Sequence, residues 1–177
     1  MKKWWIFLII IFIAILCRTY LFKIFFTYNV IKERTVSNVG NEKLKERLDN
    51  EKDNSIKDII ESSLDETASD LNFTFDHCDN ETNKLVESKK ANCIGYSAFL
   101  ASIIKFKLNQ NELTDQWKVH HKVGEIYFLN ENINKYFDSE FFKDHDFVTV
   151  ENEEIKEVIA IDATVYDYFK INRIRLK

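Results

Sequence analysis

The chain has 177 residues, 45% of them hydrophobic, with 25 basic and 29 acidic side chains and a formal net charge of −4. That length suits one modest domain plus an appendage and leaves no room for a second large core. Four of the basic residues (Lys2, Lys3, Arg18, Lys23) and no acid lie in residues 1–28, which leaves 21 basic against 29 acidic side chains elsewhere and argues against nucleic-acid binding, a chemistry of phosphate neutralisation.

Trp4 to Cys17 is a run of 14 residues with no charged or strongly polar side chain, preceded by Lys2 and Lys3. It leaves through Leu16-Cys17-Arg18, without the small residues that a cleavage site needs. Apolar character then resumes through Leu21, Phe22, Ile24, Phe25 and Phe26. The expectation is a retained signal-anchor, one transmembrane helix from about 4 to 26, with Arg18 and Lys23 snorkelling near its end. Residues 1–28 are therefore assigned as a membrane anchor. Flanking charges pull its orientation both ways, and the domain is placed outside the cytoplasm.

Residues 29–70 read as a helical connector. Leu44 and Leu48 among charged neighbours suggest an exposed helix. Ile56, Ile59, Ile60, Leu64 and Ala68 form one apolar stripe, with Asn54 or Ser55 as its cap. Leu71 to Phe75 alternates as a short strand does, and Asp76 to Lys90 is polar and irregular apart from a helical turn at 83–88. Ile94 to Leu108 is a clear helix. Its small residues Gly95, Ser97, Ala98, Ala101 and Ser102 admit close neighbours, so it is expected to lie centrally under a sheet.

Trp117 to Leu129 reads as a strand whose alternation changes phase at Gly124, the mark of a β-bulge. Residues 136–147, rich in Tyr and Phe, read as core rather than as a substrate groove. His145–Val150 and Glu157–Asp162 are two strands around an acidic turn, and the tail is expected to add one more strand. Helices first and antiparallel strands later make an α+β domain over residues 71–177.

Three cysteines, with no Cys-x-x-Cys pair and no His/Cys cluster at zinc-finger spacing, argue against a disulfide scaffold or a structural zinc. No metal or cofactor is expected. His120 and His121 are adjacent in a strand and must point to opposite faces. His77-Cys78 reads as a surface turn.

Cys93 stands at the start of the central helix. A helix N-terminus presents unpaired N–H groups and the positive end of a dipole, which favour a thiolate and can receive an oxyanion. Position alone also fits a buried core thiol. A hairpin centred between Glu153 and Glu154 would set His145 directly opposite Asp162, close enough for the carboxylate to hold the imidazole. That pair alone equally fits a structural contact. Thiolate, base and orienter together make the three-part device of nucleophilic catalysis.

The stretch Asn92-Cys93-Ile94-Gly95-Tyr96-Ser97-Ala98 resembles the nucleophile helix of the transglutaminase-like superfamily. His145-Asp146-Phe147-Val148 resembles that family's His-Ala-Trp-Val strand, and Ile161-Asp162-Ala163-Thr164 its Asp-Pro-Thr ending. Val119 to Gly124 resembles the strand between them. The resemblance covers residues 71–177. Ala163 stands where proline is usual and Phe147 where tryptophan is usual, and the family's extra oxyanion donor has no match.

The resemblance implies a papain-like α+β core in which the nucleophile helix packs on an antiparallel sheet. It also implies thioester chemistry with Cys93 as nucleophile, His145 as base and Asp162 as orienter. The expected activity is that of a cysteine-dependent hydrolase or acyltransferase acting on amide bonds, peptidase-like by preference, with a protein or peptide substrate at the membrane. The rival expectation is a non-catalytic membrane-anchored interaction domain that keeps the fold and docks in a membrane complex.

Overall fold

The computed structural model describes residues 2–50 and 53–177. In chain order the elements are α1 (Lys2–Leu16), α2 (Arg18–Phe25), β1 (Phe26–Arg34), α3 (Glu42–Asp49), α4 (Ile56–Asp70), β2 (Asn72–Phe73), α5 (Thr82–Ser88), β3 (Lys90–Ala91), α6 (Cys93–Gln110), β4 (Lys118–Phe128), β5 (Glu131–Asn132), β6 (His145–Asn152), β7 (Glu157–Ile161) and α7 (Ala163–Phe169). Two single-turn 3-10 helices, Asn134–Tyr136 and Glu140–Phe142, punctuate the loop before β6. The protein is α+β: an antiparallel sheet in the order β1-β4-β6-β7, with β5 hydrogen-bonded to β4, and helices packed on it.

α6 is the centre. Asn92 caps it, its side-chain oxygen accepting from the N–H groups of Ile94 and Gly95. Tyr96, Phe99, Leu100, Ile103, Ile104 and Leu108 are all buried, so the helix is enclosed rather than amphipathic. Its small residues serve that enclosure. A Cβ on Gly95 would meet the Ala91 Cβ at 2.8 Å, and Ser102 shares a 2.8 Å hydrogen bond with Thr82 of α5. On the sheet side Val148, Val150, Ile159 and Ile161 join the same core as α6, with Leu44, Leu48, Ile59, Ile60 and Leu64 from α3 and α4. Lys107, also buried, donates to Asp53 at 3.0 Å and Ser62 at 2.7 Å, tying α6 to the segment before α4 and to the middle of that helix.

Several expectations are corrected. No single helix among the described residues is long and apolar enough to cross a membrane. The hydrophobic run is instead broken at Cys17 into two helices bent by 76°. α1 has 15 residues, or roughly 22 Å at ~1.5 Å per residue, against a hydrocarbon core of about 30 Å. The expected boundary between an anchor over 1–28 and a helical connector over 29–70 does not hold either, because Phe26–Arg34 runs across it as the sheet strand β1. α3 and α4 begin at Asn41 and Ser55 caps, but Leu44 and Leu48 are buried. The tail gives α7 and then an extended segment with one parallel bridge, Leu176 to Tyr28, rather than a further strand.

The bulge expected at Gly124 lies across from it. β4 pairs with β6 without interruption, whereas the β1 register slips between Val30 and Lys32, which face Gly124 and Val123. The glycine is needed because a Cβ there would sit 2.4 Å from the Asn29 carbonyl oxygen and 2.8 Å from the Phe147 ring. β1 crosses β4 at that point too closely for any side chain.

Candidate functional site

β6 and β7 pair two residues out of the expected register: Val148 faces Ile161, Thr149 faces Ala160 and Val150 faces Ile159. The hairpin is centred between Glu154 and Ile155 because Asn152 accepts from both of their N–H groups and shapes the turn. A slip of two keeps every side chain on its face, whereas a slip of one would reverse them all. His145 and Asp162 therefore share a face without being directly opposed. Asp162 lies one residue past the end of β7, where it caps α7, its Oδ1 accepting from Thr164 N at 3.0 Å and Val165 N at 3.1 Å.

Those two backbone bonds fix the carboxylate and turn Oδ2 to its other partners. His145 Nε2 lies 2.8 Å away and the Tyr28 hydroxyl donates to the same oxygen at 2.9 Å. Asp162 is fully buried. Burial opposes its charge, but His145, the Val165 amide and Tyr28 together outweigh that and hold its pKa below the usual carboxylate range. Burial likewise opposes an imidazolium at His145. The Asp162 carboxylate, with a hydrogen bond and charge interaction from Cys93, reverses the balance and holds the His145 pKa well above its ordinary value. Burial first, then Asp162, keeps the Tyr28 phenol protonated by raising its pKa.

The structure thus brings Cys93, His145 and Asp162 together. Cys93 is buried at the first position of α6 and lines the same cavity as His145. Because Nε2 is engaged by Asp162, Nδ1 is the ring nitrogen left for the thiol. Asn92 already takes the Ile94 and Gly95 N–H groups at 3.1 and 3.2 Å. The open helix end that the sequence suggested is therefore reduced mainly to the Cys93 N–H.

Two contributors escape sequence reasoning. Tyr28 lies in β1, at the end of the stretch assigned to the membrane anchor, yet its backbone bonds the C-terminal segment on both sides (N–H to Arg175 at 2.8 Å, carbonyl from Lys177 at 2.9 Å). Its ring packs edge-on against Phe147, centroids 5.3 Å apart. The aromatic and β-branched run Phe-Thr-Tyr-Asn-Val-Ile over 26–31 was the strand signal available.

The other contributor is a second ionic cluster. Arg34 donates to Asp146 Oδ2 at 2.6 Å, and His121 Nε2 lies 2.7 Å from the same oxygen, with Asp146 and His121 buried. Asp146 chiefly, by its hydrogen bond and charge, raises the Arg34 pKa against the opposing effect of burial. Asp146 itself is held below the usual range, His121 and Arg34 outweighing its burial. His120 points the other way, its Nδ1 2.8 Å from Glu33.

A cavity of about 250 Å³ opens beside Cys93 and His145. Phe137, Phe141 and Phe142 line it, so the aromatic stretch expected in the core instead forms much of the cleft wall, and Phe147 alone of that run's phenylalanines is fully buried. Among the described residues no group of His, Cys, Asp and Glu is arranged to hold a metal ion, and the three cysteines are free thiols.

Comparison with protein-family models, curated proteins and solved structures finds no match to this chain.

Proposed function

We propose that the protein is a cysteine-dependent acyl-transfer enzyme of the transglutaminase-like kind, acting on amide bonds, with hydrolysis of a peptide bond as its reaction. The observation that carries the reading is an imidazole clamped by a buried, fully hydrogen-bonded carboxylate at 2.8 Å and sharing one cavity wall with a thiol at a helix N-terminus. A structural His–Asp pair needs no thiol beside it. A core thiol needs no imidazole whose pKa is raised.

In this reading His145, its pKa raised by Asp162 against burial, takes the Cys93 proton and holds it on the ring as the nucleophile forms. The Cys93 sulfur attacks the carbonyl carbon, and the oxyanion meets the Cys93 N–H. His145 then gives its proton to the amine as the C–N bond breaks, leaving a thioester. Water, deprotonated by the same ring, resolves the thioester and returns the acid product and the thiolate. Asp162 fixes the imidazole orientation throughout, and Tyr28 and the α7 amides fix Asp162.

The exposed apolar face of α1, with Trp4, Trp5, Phe7 and Phe12 each more than half exposed, supports a membrane tether. Together with α2 it makes a bent pair long enough in composition to enter a bilayer. The substrate is then a protein or peptide near the membrane surface, with the domain on the outer side.

The test is iodoacetamide alkylation at pH 6 of a Cys17→Ser/Cys78→Ser chain, in which Cys93 is the remaining thiol, against free N-acetylcysteine. An ordinary thiol of pKa about 8.5 is only ~0.3% thiolate at that pH. Cys93 should react at least ~10-fold faster, allowing for the lower nucleophilicity of a stabilised thiolate, and His145→Ala should abolish the excess. A rate equal to that of N-acetylcysteine sinks the enzyme reading.

A further inference from the structure

The cleft beside Cys93 is built from phenyl rings: Phe73, Phe75, Phe137, Phe141 and Phe142, with Ile126. Phe75 packs against Phe141 at 5.5 Å and Phe142 at 6.2 Å between centroids, and Phe137 packs at a tilt on Phe142 at 4.9 Å. Yet these rings are not shut in by packing. Phe75 is 69% exposed and Phe137 43%, an arrangement that costs apolar hydration unless something covers it.

The polar groups in the wall are nearly all engaged. Asn134 accepts from Ile126 N at 2.6 Å and donates to Phe142 O at 2.8 Å, so its amide braces the phenyl loop. Asp144 pairs with Lys32 at 3.3 Å, and His145 is held by Asp162. Thr164 Oγ1 is the buried lining oxygen without a partner among the described residues. That suffices for one hydrogen bond to a backbone group, and it cannot satisfy a charged or amide side chain, which would be desolvated without compensation.

We infer that this cleft is the acyl-side specificity pocket and that it takes a peptide donor whose residue at the scissile carbonyl carries an aromatic or large aliphatic side chain. The inference rests on the cysteine-enzyme reading above. A volume of about 250 Å³ fits one such side chain, and rings offering both faces and edges suit an aromatic partner. Glutamine and lysine are disfavoured because the phenyl wall desolvates their polar ends, and its polar groups, Thr164 Oγ1 and the Asp144 carboxylate already paired with Lys32, replace that hydration only in part.

The experiment uses the full chain and a set of blocked dipeptide vinyl sulfones that differ in the residue bearing the electrophile, Phe, Gln or Lys. An alkyl vinyl sulfone of equal carbon count serves as the lipid-like arm. The Phe probe should label Cys93 at least ~10-fold faster than the Gln and Lys probes, the scale of discrimination a hydrophobic pocket supplies. Phe75→Ala and Phe142→Ala should each shrink that advantage to less than ~3-fold. Phe75 is exposed, so its variant keeps the test open where Phe142→Ala fails to fold. Equal rates for the three peptides, or a faster Gln or Lys probe, overturn the pocket assignment. An alkyl probe faster than the Phe peptide overturns the peptide donor and points to an acyl lipid. Iodoacetamide, too small to use the pocket, separates the two failures. A fast iodoacetamide reaction with a flat probe profile sinks only the pocket, and an ordinary iodoacetamide rate sinks the enzyme reading and the pocket with it.

Discussion

Replacing Tyr28 with Phe removes one hydroxyl and keeps the ring. The ring's edge contacts with Phe147 (5.3 Å) and His145 (6.0 Å) are available to Phe, so the perturbation falls on the hydrogen bond to Asp162 Oδ2. Hydrogen bonds to charged groups contribute about 1.5–3 kcal/mol. Asp162 keeps three of its four donors, His145 and the Thr164 and Val165 amides, so the lower half of that range applies, about 2 kcal/mol. For a chain of this size that lowers the melting temperature by roughly 4–8 °C, readable by circular dichroism at pH 7. The pH dependence gives a second readout. Tyr28 is one of the causes that depress the Asp162 pKa, so part of its contribution is present above the unfolded carboxylate value of about 3.9 and fades as pH falls through the lower folded value. The gap between wild type and Tyr28→Phe should therefore narrow from pH 7 to pH 3. A shift below about 1 °C, or a gap that does not change with pH, would refute the claim that the phenol holds the carboxylate.

The His145–Asp162 pair carries its own pH window. With His145 raised and Asp162 lowered, the histidine contribution is complete below about pH 6.5 and is lost as pH rises through the folded value, while the aspartate contribution is present above about pH 3.9 and is lost on acidification. The melting temperature of His145→Gln should fall furthest below wild type near pH 5–6, and a difference that grows steadily up to pH 10 would contradict the assignment. Arg34→Ala leaves Asp146 buried with the His121 ring as its remaining side-chain partner. A loss of about 3 kcal/mol in urea unfolding is expected, at the low end for a broken buried pair because the Arg34 side chain is 36% exposed. Arg34→Lys should recover only part of it, lacking the fork that reaches both carboxylate oxygens. Gly124→Ala should cost more than about 3 kcal/mol, since the new methyl meets the β1 backbone rather than a side chain that can swing away. A stable Gly124→Ala protein would show that β1 can move off β4.

Local pattern was enough for α3, α4 and α6 and for the order of β4, β6 and β7. Asn41, Ser55 and Asn92 cap helices because a short polar side chain followed by a helical apolar run is a local signal. The α+β class followed from the order of those elements. The His145–Asp162 contact was legible for a subtler reason. Strand alternation fixes faces, so a hairpin read two residues out of register still put both side chains on one side.

What the tertiary structure alone decided is long-range. Tyr28 reaches Asp162 across 134 positions, Arg34 reaches Asp146 across 112, and no periodicity within either segment encodes the partner. The break at Cys17 between two apolar helices also lay outside composition, which registers total hydrophobicity and not the direction of an axis. The phenyl-rich loop looked like core because hydrophobic residues usually are buried; whether a ring faces the interior or the mouth of a cleft depends on what the rest of the chain leaves uncovered beside it. Sequence by itself determined which side chains share a face, and only the packing of β1 and the C-terminal segment decided which of them meet Asp162, because a contact between distant segments is set by the summed packing of everything between them.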